Sequence, residues 1–139
     1  MSDKTRGGQF LVKETKCEDI FTPEDFNEEQ LMMRDSVKEF ADKELWPNKD
    51  RFEKKDYALT EETMRKAGHL GSLSEAVPDA YGGRGMGFLH TVLVCDYIAG
   101  ATGSFSIAFG AHTGPVVLPI TFYGTVELAR KYVPTLADC

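Results

Sequence analysis

The sequence predicts an all-α fold, a bundle of about five to six helices. Apolar residues recur at helical spacing, capping residues and glycines punctuate those runs, and no alternation of period two lasts long enough for a sheet. Residues 1–21 show no clear period and read as a partly ordered lead-in to a domain spanning 22–139. Thr22-Pro23-Glu24-Asp25 supplies a capping hydroxyl, a proline at a first helical position and first-turn acids, and Asn27-Glu28-Glu29-Gln30 repeats that logic. From there Met33, Val37, Phe40, Ala41 and Leu45 share one face, which predicts an amphipathic helix that Pro47 kinks or ends.

Thr60-Glu61-Glu62 is read as the start of a second helix, limited by Gly68 and Gly71. Leu73 to Val77 is a short link with weak strand character, followed by the glycine-dense loop Tyr81-Gly82-Gly83-Arg84-Gly85-Met86-Gly87. A buried helix is expected from Phe88 to Ala101. Ser104 can cap the next, which should be bent or broken at Pro115 and Pro119. Gly124 stops that helix, and Thr125 caps a last one with Leu128, Tyr132 and Leu136 at four-residue spacing.

Composition narrows the function. The chain has 139 residues, 42% hydrophobic and 27% charged, which suits a globular domain with a real core. A formal net charge of -6 argues against phosphate-driven binding of nucleic acid. The mixed run Lys49 to Lys55 reads as a solvated face. Cys17, Cys95 and Cys139 are odd in number and far apart, which indicates neither a disulfide framework nor a zinc site. No run of about 18 apolar residues is evident, and the N-terminus lacks the features of a signal or transit peptide, so the expected location is cytoplasmic. The helix at Thr135 to Cys139 leads onward without a polar tail, which reads as a piece of a longer chain.

Chemical motifs are sparse. Gly83-x-Gly85-x-Gly87 lacks the Gly-x-Gly-x-x-Gly spacing, the preceding buried strand and the later acid of a dinucleotide fold. Ser104 and Ser106 lie outside any nucleophile elbow. His69, His90 and His112 have no chelating spacing, and His69 and His90 read as surface or partly buried. Asp96, an acid in an apolar helix, reads as a carboxylate satisfied by a neighbouring group. Gly110-Ala111-His112-Thr113-Gly114 leaves two readings open. Its small residues either let helices approach closely or leave a channel for a long apolar ligand, with Phe105 and Phe109 as walls and His112 beside it.

Val77-Pro78-x-x-Tyr81-Gly82-Gly83-x-Gly85-Met86-Gly87, Gly100-Ala101-Thr102-Gly103-Ser104, Gly110-Ala111-His112-Thr113, Tyr123-Gly124-Thr125 and Lys131-Tyr132-Val133-Pro134-x-Leu136-Ala137 occur in an informative order. Together they resemble the N-terminal helical domain of the acyl-CoA dehydrogenases over about Thr22 to Ala137. The Gly-Ala-His run and Gly8-Gln9-Phe10 look most like the long-chain branch. The resemblance implies a flavoenzyme of fatty-acid β-oxidation that desaturates an acyl-CoA between Cα and Cβ. A carboxylate removes the α-proton, FAD accepts the β-hydride, and electrons pass to electron-transfer flavoprotein. It also implies a homo-oligomer in the complete enzyme. Carried over, Phe109, Gly110, His112, Thr113 and Gly114 line or shape the acyl slot. No acid here matches the family's base, so the chain is expected to be catalytically incomplete and to bind FAD poorly alone. Ser72, Ser74 and Glu75 stand where the family pattern calls for apolar or glycine residues, and Pro115, Val116 and Val117 depart from its usual helix. The competing expectation is a non-catalytic helical module of the same ancestry that binds a partner or lipid.

Overall fold

The computed structural model describes Lys4, Thr5 and residues 7–139. Among these residues the fold is all-α, with no strand beyond an isolated bridge between Thr5 and Ile20. That removes the sheet a dinucleotide fold requires. Short 3₁₀ turns occupy Gly7–Leu11, Cys17–Asp19 and Pro23–Asp25 before the helices begin.

Helix α1 (Glu28–Phe40) starts at the second of the two capping signals. The Asn27 side chain accepts from the Gln30 N–H, and the Gln30 side chain accepts from the Asn27 N–H, each at 2.9 Å. This reciprocal box satisfies two N–H groups that have no intrahelical partner. Met33, Val37, Ala41 and Leu45 are buried as expected, and Phe40 packs half-buried beside them. The chain does not end at Pro47. It widens into a π-helical turn at Ala41–Leu45, tightens into a 3₁₀ turn at Trp46–Asn48, and continues as α2 (Lys49–Glu53). A proline cannot donate to the carbonyl four residues back, and a change of pitch absorbs the missing bond. Within α2, Phe52 is buried in the core, so the expected solvated face of Lys49 to Lys55 carries an anchor.

Helix α3 (Tyr57–Leu70) begins earlier than Thr60 because Asp56 caps it, accepting from the Leu59 N–H at 3.1 Å. It passes through Gly68 and stops at Gly71, whose φ of +83° is the left-handed cap that glycine adopts at little cost. The following link is not a strand. The glycine loop folds back on it through three backbone bonds: Arg84 N–H to the Ser74 carbonyl (3.0 Å), Gly85 N–H to Val77 (2.8 Å) and Met86 N–H to Glu75 (2.9 Å). A Cβ at Gly83 would lie 2.0 Å from the Val77 carbonyl oxygen. The loop is therefore laced to the link.

Helix α4 (Phe88–Ala101) is followed by α5 (Gly103–Ala111), a π-helical turn at His112–Val116 and α6 (Val117–Tyr123). The last three form one rod, again widened where Pro115 would break an α-helix. This 21-residue rod is long and apolar enough on average to cross a membrane by length and composition, while Ser104, Ser106, His112, Thr113 and Thr121 interrupt its apolar run. Helix α7 (Val126–Asp138) closes the fold, capped by Thr125.

The main core joins Val37, Leu45, Phe52, Ile98, Phe105 and Phe109. A smaller core joins Val77, Val117, Ala129 and Val133. The buried stripe of α7 is thus Ala129, Val133 and Ala137, one position from the Leu128, Tyr132 and Leu136 stripe expected. Leu128 and Tyr132 remain 47% and 43% exposed. The small stripe brings the end of α7 so close to α3 that a Cβ at Gly68 would lie 2.1 Å from the Asp138 carbonyl oxygen.

Candidate functional site: the glycine-lined face of the 103–123 rod

Two contacts set the orientation of this rod. At its start Glu53, from α2, accepts hydrogen bonds from the Ser104 hydroxyl at 2.8 Å and the Thr102 hydroxyl at 3.1 Å. The bond from Ser104, and then that from Thr102, holds the Glu53 carboxyl below the usual carboxylate range. Ser104 therefore serves a carboxylate 51 positions away rather than acting as the expected cap. Inward, the Phe105 ring sits between Phe52 and Phe109, with centroids at 5.2 and 6.4 Å and tilted planes. Such aromatic packing adds directional preference to plain burial.

The opposite face is bare. Gly103, Ile107, Gly110 and Gly114 fall at i, i+4, i+7 and i+11, one side of a helix. A Cβ built on Gly103, Gly110 or Gly114 meets nothing within 4 Å, and the same holds for Gly100 at the end of α4. Ile107 stands 76% exposed among them. The small residues do not serve close helix packing within this chain. They leave open apolar ground on this chain.

The expected site residues divide accordingly. Gly110 and Gly114 lie on the open face. Phe109 is buried with Phe105 in the main core, so neither ring is an exposed wall. His112 is occupied: its Nε2 lies 2.7 Å from the Leu136 carbonyl oxygen, tying the π-helical turn to α7. The Thr113 hydroxyl donates to the Phe109 carbonyl at 3.0 Å, and its side chain lines a small cavity shared with Glu75 and Thr91. A broad surface hollow bounded by Met32, Met33, Arg84 and Met86 touches none of the five.

Other candidates also move. Asp96 is exposed and needs no compensating partner, and His69 is exposed as read. His90 is buried, against the expected surface or partly buried position. Sequence reasoning missed Glu53, Ile107 and the burial of Glu75. Only Ile107 left a local signal, its helical spacing from Gly103, Gly110 and Gly114.

Comparison with known proteins decides the family. The acyl-CoA dehydrogenase N-terminal domain matches residues 27–139. The chain belongs to that family. A probable acyl-CoA dehydrogenase of Bacillus subtilis (strain 168) is 35% identical over 137 residues, covering 99% of this chain and 23% of the relative. The crystal structure of an acyl-CoA dehydrogenase complexed with FAD from Bacillus anthracis superposes with a TM-score of 0.86 at 36% identity, covering 96% of this chain and 23% of that one. A structure of the electron transferring flavoprotein of Acidaminococcus fermentans gives 0.73 at 28% identity, covering 84% and 30%. The chain thus spans about a quarter of the length of these proteins. The acyl-CoA dehydrogenase N-terminal domain is all-α in this chain, and its glycine loop is tied by backbone bonds to the link before it.

Proposed function

We propose that this domain forms part of the acyl-binding wall of an FAD-dependent acyl-CoA dehydrogenase that desaturates a fatty acyl-CoA between Cα and Cβ. The open face of the 103–123 rod carries this reading. An acyl chain needs an apolar surface with room beside it, and Gly110 and Gly114 present backbone where side chains would otherwise stand. Phe109 supports that wall from behind, and His112 and Thr113 fix the π-helical turn that presents Gly114.

The residues near this face fit an acyl wall better than a flavin site. A flavin dinucleotide needs converging hydrogen-bond groups, whereas here Thr102 and Ser104 are spent on Glu53, His112 on Leu136 and Thr113 on Phe109. FAD, when bound in the complete enzyme, supplies the hydride acceptor. This chain supplies positioning and exclusion of water on one side of the substrate. The acyl-CoA substrate, self-association and electron transfer to electron-transfer flavoprotein are assigned to the complete enzyme.

Two measurements test the reading. Purified alone, the chain should show no flavin absorbance and no acyl-CoA-dependent reduction of a dye acceptor; turnover with stoichiometric flavin would overturn it. Joined to the remaining domains of a full-length relative, it should restore turnover, and bulky substitutions at Gly110 should shorten the accepted acyl chain. Unchanged chain-length preference would remove the slot assignment. A colourless chain that binds fatty acid, with no effect in the joined enzyme, would favour a lipid-binding module instead.

A further inference from the structure

Behind the glycine loop lies a closed polar cluster. Glu75 is 2% exposed and His90 5%. Both Glu75 carboxyl oxygens, His90 Nε2 and Thr91 Oγ1 are buried without a hydrogen-bond partner, and they make up all but one of such side-chain atoms among the described residues. A cavity of about 10 Å³, room for one water, touches Glu75, Thr91, Ser72, Val77, Thr113 and Leu118.

Counting donors against acceptors shows what the cluster lacks. His90 Nδ1 lies 2.7 Å from the Met86 carbonyl oxygen, so Nδ1 carries a hydrogen, and in the neutral ring Nε2 then presents a lone pair. With Glu75 ionised, two carboxylate oxygens and Nε2 accept, and only the Thr91 hydroxyl donates. One added proton turns a carboxylate oxygen into a donor and balances the set at two and two. A water in the cavity, which donates and accepts equally, bridges groups that do not touch.

We propose that Glu75 and Thr91 form a buried site for one proton and one water molecule, set against the inner side of Thr113. The charged or titratable groups that act on Glu75 from its surroundings are Arg84 of the glycine loop, His90 of α4 and Glu29 of α1. Thr113 and Leu118, from the 103–123 rod, bring no charge. Burial pushes the Glu75 carboxyl up from its ordinary value, Arg84 and His90 oppose that, and Glu29 adds to it. Neither Arg84 nor His90 forms an ion pair with Glu75; Arg84 instead donates to the Leu70 carbonyl at 3.1 Å. An uncompensated buried carboxylate costs more than a distant cation returns, which favours the neutral acid.

The sign of the pH effect follows. With its folded-state value raised, Glu75 holds its proton in the folded chain over a range where the unfolded chain has released it. Its contribution is fully present below the ordinary glutamate value and is lost as pH rises through the raised one. The proposal holds whether or not the chain contributes to an acyl slot. Urea unfolding of the purified chain and of Glu75→Gln, from about pH 4 to pH 8, tests it. Relative to the variant, the wild-type folding constant should fall by up to about tenfold per pH unit within the titration window. Infrared spectra followed upward from about pH 4 should show a protonated carboxylic C=O stretch that persists to higher pH than that of the exposed carboxylates and that Glu75→Gln lacks. Parallel stability profiles, absence of that band, or a proton found on His90 Nε2 by NMR would overturn it. If Glu75→Gln fails to fold, the infrared band of the wild-type chain decides alone.

Discussion

On the inward face of the 103–123 rod, Phe105 and Phe109 pack into an aromatic row with Phe52. On its outward face, three glycines and an isoleucine look onto open space. Both faces are apolar, so hydrophobicity does not distinguish them. Packing does. A Cβ added to the glycine loop at Gly83 collides with the Val77 carbonyl, whereas one added at Gly110 meets nothing. Glycine does two different jobs in one domain: it permits close approach in the loop, and it keeps a surface clear on the rod.

The largest effect should come from emptying the inward face. Phe105 is fully buried between two other rings. Phe105→Ala should cost about 3–5 kcal/mol through lost burial and the cavity left behind. For a domain this size that approaches the whole stability, so the urea midpoint should collapse or the chain should fail to fold. A loss below about 1 kcal/mol would mean that the aromatic row is not the anchor of the rod.

Next comes Gly83→Ala, which forces a methyl against backbone that cannot swing aside. Overpacking of this kind costs about 1–3 kcal/mol, and the laced loop gives little room to relax. Gly110→Ala should go the other way. It lies inside a helix with space beside it, so alanine should raise stability by about 0.5–1 kcal/mol. Opposite signs in matched urea titrations would confirm the two uses of glycine. If both variants destabilise, the outward face is closed, and the slot reading loses its support.

How far these features could be read in advance depends on how local their causes are. Helix α1 was legible because its capping box spans four residues and its stripe repeats every turn. The glycine loop was legible as a loop, but its anchoring rests on carbonyls of Ser74, Glu75 and Val77 that only the folded chain brings near. The two π-helical turns were not, because a proline signals a break and neighbouring packing decides whether the helix widens instead. Helix α7 turned by one position because Ala129 and Val133 meet Val77 and Val117 in the smaller core while its end approaches α3 at Gly68. Within the candidate site, the glycine spacing of the open face is written in the sequence. The Glu53 cap, the His112 bond to Leu136 and the burial of Glu75 are long-range, and no local pattern announces them.

The smallest expected effect falls at Ile107, and it sharpens the comparison most because it can fail in only one direction. The side chain is 76% exposed, so Ile107→Ser removes little that folding has buried. Serine and isoleucine have similar helix propensity, and the change should stay within about 0.5 kcal/mol. An apolar residue on open ground does, however, drive association between copies when nothing covers it. Serine at this position should therefore leave the urea midpoint in place while lowering any concentration-dependent association seen by sedimentation. A drop beyond about 1 kcal/mol at low concentration would mean that Ile107 is covered within the single chain. The outward face would then be a second core, and Gly110 and Gly114 would have to be explained by packing after all.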